Sequence, residues 1–197
     1  MKIPVVLTKQ EIMRLVAVPE DDIETASNDH QFFNSIRNVA ILRLLCSTGL
    51  RIQELANLNR SNIFPQEQRI KVRQGKKGND DYIPIVNDAT WQALERYEKI
   101  RETIPGTGEA YFVGWNGQRV LSRQVNRHLK DYGKRAGILK NIHAHILRHS
   151  FGTLFYKATR DLAKTQLALR HRDISSTMIY VHIEKEAVIE GLKLAGL

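Results

Sequence analysis

Apolar residues dominate the segment 31–47, where they cover more than one face of the helix that they predict. They include Phe33, Ile36, Val39, Ala40 and Leu44. A helix that is apolar around most of its circumference belongs in a protein core. The pattern therefore predicts a central buried helix, which ends at Gly49 because glycine readily terminates helices.

Shorter helices are predicted on both sides of this segment. The first starts at Thr8-Lys-Gln-Glu11, a capping box that satisfies free N–H groups at a helix start. The acidic and polar residues 18–30 predict a surface loop after it. Apolar residues at helical spacing predict further helices at 88–101, at 144–158, at 160–170, at 183–195 and after Ser122, which we expect to be an N-cap.

Strand signals cluster in residues 61–85, where short apolar runs are separated by Pro65 and by the glycines of the segment 75–79. This spacing predicts a small β-meander. Tyr111-Phe-Val113 predicts one more short, buried strand. The whole chain therefore predicts an α+β fold that is mainly α-helical, with a small antiparallel β-sheet, in a single domain over residues 1–197.

Basic residues are concentrated in the second half of the chain. Of a net charge of +9, none comes from residues 1–110, which carry 15 Lys or Arg and 15 Asp or Glu. Residues 111–197 carry 15 basic and 6 acidic residues. This asymmetry favours a polyanionic partner such as nucleic acid, although a solvated basic surface is the alternative. We expect Arg123, Arg127 and Lys130, on the outer face of the helix after Ser122, to contact DNA phosphates.

Cysteine usage and hydropathy suggest a compartment. The single Cys46 lies in an apolar run, so it excludes an internal disulfide framework and predicts a buried thiol. No apolar run approaches the ~18 residues of a membrane span, and no secretory signal is evident. The sequence therefore predicts a cytoplasmic protein.

Candidate chemistry lies in the stretch from His145 to Tyr180. His145 and Arg148 are three residues apart and share a helix face, where they offer a proton acceptor and a planar donor suited to phosphate. His171 and Tyr180 are nine residues apart, and Asp173-Ile-Ser-Ser can break the helix between them and bring the two together.

A further arginine, Arg51, follows the central helix among apolar residues. A partly buried arginine needs an anionic partner, and Glu54 lies one turn away, where it can hold Arg51 before a ligand arrives. Its apolar setting argues against the alternative, an exposed arginine at a helix end.

These motifs together resemble the tyrosine recombinase (phage integrase) family. The resemblance rests on His145-x-x-Arg148, on Leu169-x-His171 with Tyr180 nine residues later, and on Thr48-Gly-Leu-Arg51-Ile-Gln-Glu54-Leu. The order and spacing of the four elements are specific and extend over roughly residues 45–183. Arg170 departs from the family, which usually has glycine before this histidine.

The resemblance implies the catalytic-domain fold of that family, without the helical DNA-clamping domain that usually precedes it. It also implies DNA cleavage and rejoining through a 3′-phosphotyrosyl link on Tyr180, with no cofactor and no metal. Arg51 and Arg148 would clamp the phosphate, His171 would donate a hydrogen bond and His145 would accept the tyrosine proton. The implied partners are double-stranded DNA and further copies of the chain, as a dimer or tetramer on DNA.

A hairpin lysine completes the implied site. In the family it lies eight residues before the proline of the next strand, which is Lys76 relative to Pro84. Lys76 would protonate the leaving 5′-oxygen, and its neighbour Lys77 would face the other side and contact DNA.

Other functions compete with this interpretation. His143, His145 and His149 could form a metal site, but they lack the glutamate of His-Glu-x-x-His and lie beside Arg148. The acidic pairs Asp21-Asp22 and Asp80-Asp81 have no motif that supports a two-metal nuclease. A type IB topoisomerase, which shares the tyrosine chemistry, and a non-catalytic DNA-binding module remain alternatives.

Overall fold

The structure, a computed structural model, describes residues 4–73 and 80–194, with the backbone alone at 184–187, 190, 191 and 194. Its helices are α1 Lys9–Glu24, α2 Asp29–Thr48, α3 Ile52–Ala56, α4 Asp88–Arg101, α5 Ser122–Arg135, α6 Ala144–Thr159, α7 Leu162–Leu169 and α8 Ile179–Leu194. Its strands are β1 Ile63–Phe64, β2 Arg69–Arg73 and β3 Asp80–Pro84. The predicted fold class, mainly helical with a small antiparallel sheet, is confirmed.

Helix α2 is the central element. It is buried over most of its length and packs against α1, α4 and α6. Gly49 caps its end with φ 59°, and a Cβ there would lie 2.5 Å from the ring of Phe151 on α6. Glycine is therefore required twice, for the left-handed backbone and for the close approach of α6. The predicted central helix is confirmed.

Helix α1 is longer than predicted, because residues 18–24 belong to it and not to a loop. Pro19 lies inside the helix and is buried. The polar last turn is held by ion pairs from its acidic residues, Glu20 to Arg43 on α2 and Asp22 to Arg135 on α5. These tertiary contacts outweigh the proline and the polar composition, from which we had predicted a loop.

The three strands form an antiparallel sheet in the order β1-β2-β3, and Ile70 lies opposite Ile83. The predicted meander is confirmed, but the strand predicted at 111–113 is wrong. Tyr111, Phe112 and Val113 are buried, but none belongs to a strand, and of the three Val113 alone makes an isolated bridge, to Arg119. A side chain satisfies part of their backbone, since Tyr97 Oη donates to the carbonyl of Tyr111 and accepts from the N–H of Val113.

The start of α5 also differs from the prediction. Ser122 is the first helical residue and Leu121 is the N-cap. The side chain of Gln124 reaches back to accept the N–H of Leu121 at 2.8 Å, so the first turn is satisfied without a serine cap.

The chain breaks between α7 and α8, as predicted. Asp173 accepts the N–H of Ser175 at 3.0 Å and starts a 3₁₀ turn over Ile174–Ser176. Helix α8 then begins at Ile179, earlier than the predicted 183, so Tyr180 lies in its first turn. In the described part of the chain, no helix is long and apolar enough to cross a membrane.

Candidate active site

A cleft of about 1060 Å³ opens between α3, the β2–β3 edge and the segment that follows α7. Among the residues that line it are Arg51, Glu54, Lys71, Arg73, Asp80 and His171. Most of these side chains are charged or polar, and basic groups outnumber acidic ones. Such a cleft suits an anionic ligand better than an apolar one.

Arg148 is fixed at the base of the site by two helix ends. Its guanidinium donates to the carbonyl of Gly49, which caps α2, and to the carbonyl of Leu169, the last residue of α7. Helix carboxyl ends carry free carbonyls and partial negative charge, so they stabilise a cation there. Burial, with Arg51 and Arg170 nearby, lowers the pKa of Arg148 to about 10, which leaves it charged at neutral pH. A guanidinium has five N–H donors, so these bonds leave others for an anion.

Arg51 lies at the start of α3 and is held from two directions. Its Nη1 contacts Glu54 Oε1 at 2.7 Å, and its Nη2 donates to the carbonyl of Arg170 at 3.2 Å. Glu54 also accepts the backbone N–H of Arg51 at 2.8 Å. The side chain of Arg51 is 41% exposed, whereas that of Glu54 is 7% exposed. Glu54 therefore contacts Arg51 as predicted, while the guanidinium of Arg51 stays open to the cleft.

Arg170 joins the same cluster, and sequence reasoning did not assign it a role. It caps α7 with φ 55°, its side chain is only 3% exposed, and its Nη2 lies 3.2 Å from Glu54 Oε2. The departure from the family glycine was the signal that could have drawn attention to it. Glu54 is thus shared between Arg51 and Arg170, on opposite oxygens.

His171 lines the cleft beside these arginines. Its Nδ1 lies 2.9 Å from the hydroxyl of Thr177, a buried residue that sequence reasoning did not identify. Burial, together with the charges of Arg148, Arg51 and Arg170, lowers the pKa of His171 to about 4. The imidazole is therefore neutral at pH 7 and can donate one hydrogen bond.

Tyr180 is fully buried against α6. It packs with Leu169 and Ile183, and a Cβ on Gly152 would lie 2.5 Å from its ring. Burial raises the pKa of Tyr180 to about 12, although the nearby charge of Arg148 lowers it. The phenol is therefore protonated at neutral pH.

The histidine that contacts Tyr180 is His149. Its Nδ1 lies 3.4 Å from the tyrosine hydroxyl, a long contact. His145, which we predicted to accept the tyrosine proton, is exposed and touches the ring of His149 edge-on at 4.3 Å between centroids. Burial, with His145 and Arg148 nearby, lowers the pKa of His149 to about 4. The structure thus brings Arg51, Arg148 and His171 together. The ring of His149 lies between Tyr180 and His145.

A metal site at these histidines gains no support from the geometry. Within the described residues, no three His, Cys, Asp or Glu side chains are grouped to hold a metal ion. The neighbouring charges are those of arginines, which would repel a metal ion.

Lys76 and Lys77 lie outside the described residues, so their predicted roles stay predictions. The strand residues that flank them are described. Arg73 ends β2 and Asp80 begins β3, and both line the cleft. Lys71 lies 2.7 Å from Asp80, an ion pair that joins the two strands at this wall.

The predicted DNA-contact residues lie on the outer face of α5. Arg123, Arg127 and Lys130 are exposed, while Val125 and Leu129 on the opposite face are buried. The amphipathic pattern is therefore as predicted, and α5 presents a row of cations to solvent.

The fold is mainly helical with a small sheet, and its cleft is lined by more basic than acidic groups. Arginines at this cleft are held in place by hydrogen bonds, so the site can bind a phosphodiester. Comparison with known proteins identifies the family of the chain. The model of the phage integrase family matches residues 5–187. The chain belongs to the phage integrase family.

Individual relatives agree with this assignment. The chain is 33% identical to a tyrosine recombinase XerC of Thermodesulfovibrio yellowstonii over 194 residues, covering 95% of this chain and 61% of that protein. It is also 33% identical to a tyrosine recombinase XerC of Haemophilus influenzae over 164 residues, covering 83% of this chain and 55% of that one. The chain thus spans less than two thirds of the length of these relatives.

Solved structures confirm the fold. The crystal structure of XerA recombinase matches with a TM-score of 0.79 at 29% identity, covering 99% of this chain and 66% of that one. The catalytic domain of bacteriophage HP1 integrase matches with a TM-score of 0.57 at 21% identity, covering 90% of this chain and 87% of that domain.

Proposed function

We propose that this chain is the catalytic part of a site-specific DNA recombinase, which cleaves and rejoins DNA strands through a 3′-phosphotyrosyl intermediate. The observation that carries the proposal is the meeting of Arg51 and His171 at one cleft, with Arg148 bonded to the backbone two residues before each of them. Three separate segments supply them, and a carboxylate, backbone carbonyls or a hydroxyl hold the side chain in each case. Relatives named tyrosine recombinases share this segment of sequence.

The arginines suit the transition state of phosphoryl transfer. Negative charge then spreads over the non-bridging oxygens of the phosphate, and preorganised donors stabilise it. Arg148 supplies donors from a fixed position, and Arg51 supplies them from the exposed rim. His171 adds a neutral N–H. The proposed chemistry uses fixed cations and needs no metal and no nucleotide, because the phosphotyrosyl bond conserves the energy of the phosphodiester.

In the proposed step, the oxygen of Tyr180 attacks phosphorus and the bond to the 5′-oxygen breaks. The tyrosine proton passes to a histidine, and Lys76 gives a proton to the leaving oxygen. A 5′-hydroxyl later reverses both transfers and rejoins a strand. A pKa of about 12 makes the phenolate of Tyr180 about a hundredfold rarer than the ordinary value near 10 would. The buried tyrosine must therefore turn toward the cleft and meet a base there.

Two histidines could serve as that base. His149 contacts the hydroxyl of Tyr180 in its buried position. We propose that this contact is lost when Tyr180 turns toward the cleft. His145, at the exposed rim, is then the acceptor. We expect His145→Ala to slow cleavage about 10²–10⁴-fold, the usual range for a lost general base. His149→Phe should retain cleavage within about tenfold. Single-turnover rates of adduct formation measure both, and the reverse ranking would assign the proton to His149.

The proposed partner is double-stranded DNA. The exposed cations of α5 support it, since phosphate contacts position a protein on a duplex. Assembly of several copies on DNA is proposed from the family, and exposed apolar residues on α8 are compatible with it. These are Val188, Ile189 and Leu192, which are 45–60% exposed.

A library of nicked duplexes tests the proposal. Cleavage close to a nick releases a short fragment, so the covalent adduct is trapped. Sequencing the trapped DNA would reveal a preferred site. Two copies of that site on different duplexes should then exchange strands. Relaxation of supercoils without exchange would indicate a topoisomerase. Retention of DNA without any adduct would indicate a binding module.

A further inference from the structure

Arg170 occupies a position where the backbone and the surroundings both disfavour arginine. It adopts φ 55° at the end of α7, in the left-handed region that disfavours residues with a Cβ. Its side chain is buried, and burying a charged group without compensation is unfavourable. A glycine would fit the same backbone freely. The arginine therefore needs a compensating role.

Arg170 contacts two residues that line the cleft, Glu54 and Arg51. Its Nη2 meets Glu54 Oε2 at 3.2 Å, and its Nη1 donates to the carbonyl of Ala168 at 3.0 Å. Its own carbonyl accepts Arg51 Nη2. Its Nε is buried and has no hydrogen-bond partner among the described residues. One end of the guanidinium is thus bonded to Glu54, and the backbone of Arg170 holds Arg51.

The net charge of the cluster depends on Arg170. Arg51 and Glu54 alone make a neutral ion pair, which would hold Arg51 but attract an anion weakly. With Arg170 on the second carboxylate oxygen, the three side chains carry a net charge of +1. Arg148 lies close enough for both arginines to lower its pKa. Glu54 can then orient Arg51 without cancelling the positive charge of the cleft.

We propose that Arg170 is a positioning residue of the phosphate site, which offsets the charge of Glu54 so that Arg51 stays both oriented and free to bind a phosphate. The inference rests on the proposed function for its catalytic consequence, but its binding consequence stands without it. Arg170 is too deeply buried to contact DNA itself, so it acts through Glu54 and Arg51.

Inorganic phosphate is the first probe, with affinity measured from the rise in melting temperature as phosphate is added. We expect Arg170→Gly to weaken phosphate binding about tenfold, because one unit charge near the site is removed. Arg170→Lys keeps the charge and should retain most of the affinity. Arg170→Gly combined with Glu54→Gln removes both opposite charges and should recover it. If Lys behaves like Gly, or if the double variant recovers nothing, charge compensation is wrong.

Arg160→Gly is the matched control. Arg160 also caps a helix, α6, with φ 54°, but it is exposed and does not line the cleft. Both glycine variants relieve the same backbone strain, so relief of strain alone cannot account for a difference between them. Only Arg170→Gly should change the phosphate response. Equal phosphate responses in the two variants would overturn the inference.

Cleavage is the second probe, using the trapped duplex with either a normal or a methylphosphonate scissile group. A methylphosphonate lacks the negative charge that the cluster attracts. Arg170→Gly should slow cleavage of the phosphodiester about tenfold and of the methylphosphonate much less, with duplex affinity unchanged. Equal slowing on both substrates would contradict the inference. If wild type forms no adduct but the phosphate results hold, the proposed function fails and the role of Arg170 stands.

Discussion

Glu54→Gln isolates the charge that joins the arginine cluster, because glutamine keeps the shape of glutamate. The variant leaves Arg170 buried beside an amide, with Glu54 and Arg170 side chains 7% and 3% exposed in the wild type. Removing one partner of such a buried pair costs about 3–5 kcal/mol. The contact to Arg51, which is 41% exposed, adds only about 0–1 kcal/mol. The loss of the buried contact between Glu54 and Arg170 therefore dominates the change in stability. A chain of this size should lose about 6–20 °C in Tm.

The charge of Glu54 should also make the stability of the protein depend on pH. Burial raises the pKa of Glu54, but the charge of Arg170, the N–H of Arg51 and the charge of Arg51 lower it by more, so the pKa lies below the ordinary value of a glutamate. A depressed folded-state pKa contributes stability above the unfolded value and loses it as the pH falls. Wild type should therefore lose stability as the pH falls below about 4.5, and Glu54→Gln should lose less over the same interval.

Urea unfolding at pH 7 and at pH 3.5–5 measures both effects, with and without phosphate. Phosphate should restore part of the stability of the variant, since an anion replaces the missing negative charge. Glu54→Gln in the Arg170→Gly background should cost much less than in wild type. A loss below about 1 kcal/mol at pH 7, or an equal loss in both backgrounds, would refute the reasoning.

Two further predictions concern DNA. Duplex affinity should fall steeply with salt, and Arg123→Glu with Arg127→Glu should weaken binding to all sequences alike and flatten the salt slope; filter binding at 50–200 mM salt checks this, and a flat wild-type response would contradict it. A substrate with sulfur in place of the bridging 5′-oxygen should rescue cleavage by Lys76→Ala but not by Arg51→Ala, because a thiolate leaves without protonation. Rescue of Lys77→Ala instead would move the general acid by one residue.

The helices that the sequence predicted well are those whose local pattern agrees with their environment. The segment 31–47 is apolar on most faces and is buried, so pattern and packing give the same answer. Helix α1 extends beyond its prediction because Arg43 and Arg135, distant in sequence, hold its acidic end. The strand predicted at 111–113 fails because Tyr97 satisfies backbone groups that a strand partner would otherwise satisfy.

The site residues, too, were predicted in part from the sequence. Motif spacing indicated Arg51, Glu54, Arg148 and His171. The structure places Arg51, Glu54 and His171 at one cleft and buries Arg148 beside it, bonded to the carbonyls of Gly49 and Leu169. Spacing could not indicate that Tyr180 would be buried beside a histidine other than the predicted one, because that depends on how α8 packs on α6.

The central claim is that Tyr180 becomes covalently joined to a 3′-phosphate. The most direct measurement is mass spectrometry of the protease-digested adduct trapped on a nicked duplex, with Tyr180→Phe as the control. The account predicts one nucleotide-bearing peptide, modified at Tyr180, and no adduct in the variant, which should still bind the duplex. An adduct on another residue, or one that persists in Tyr180→Phe, would contradict it.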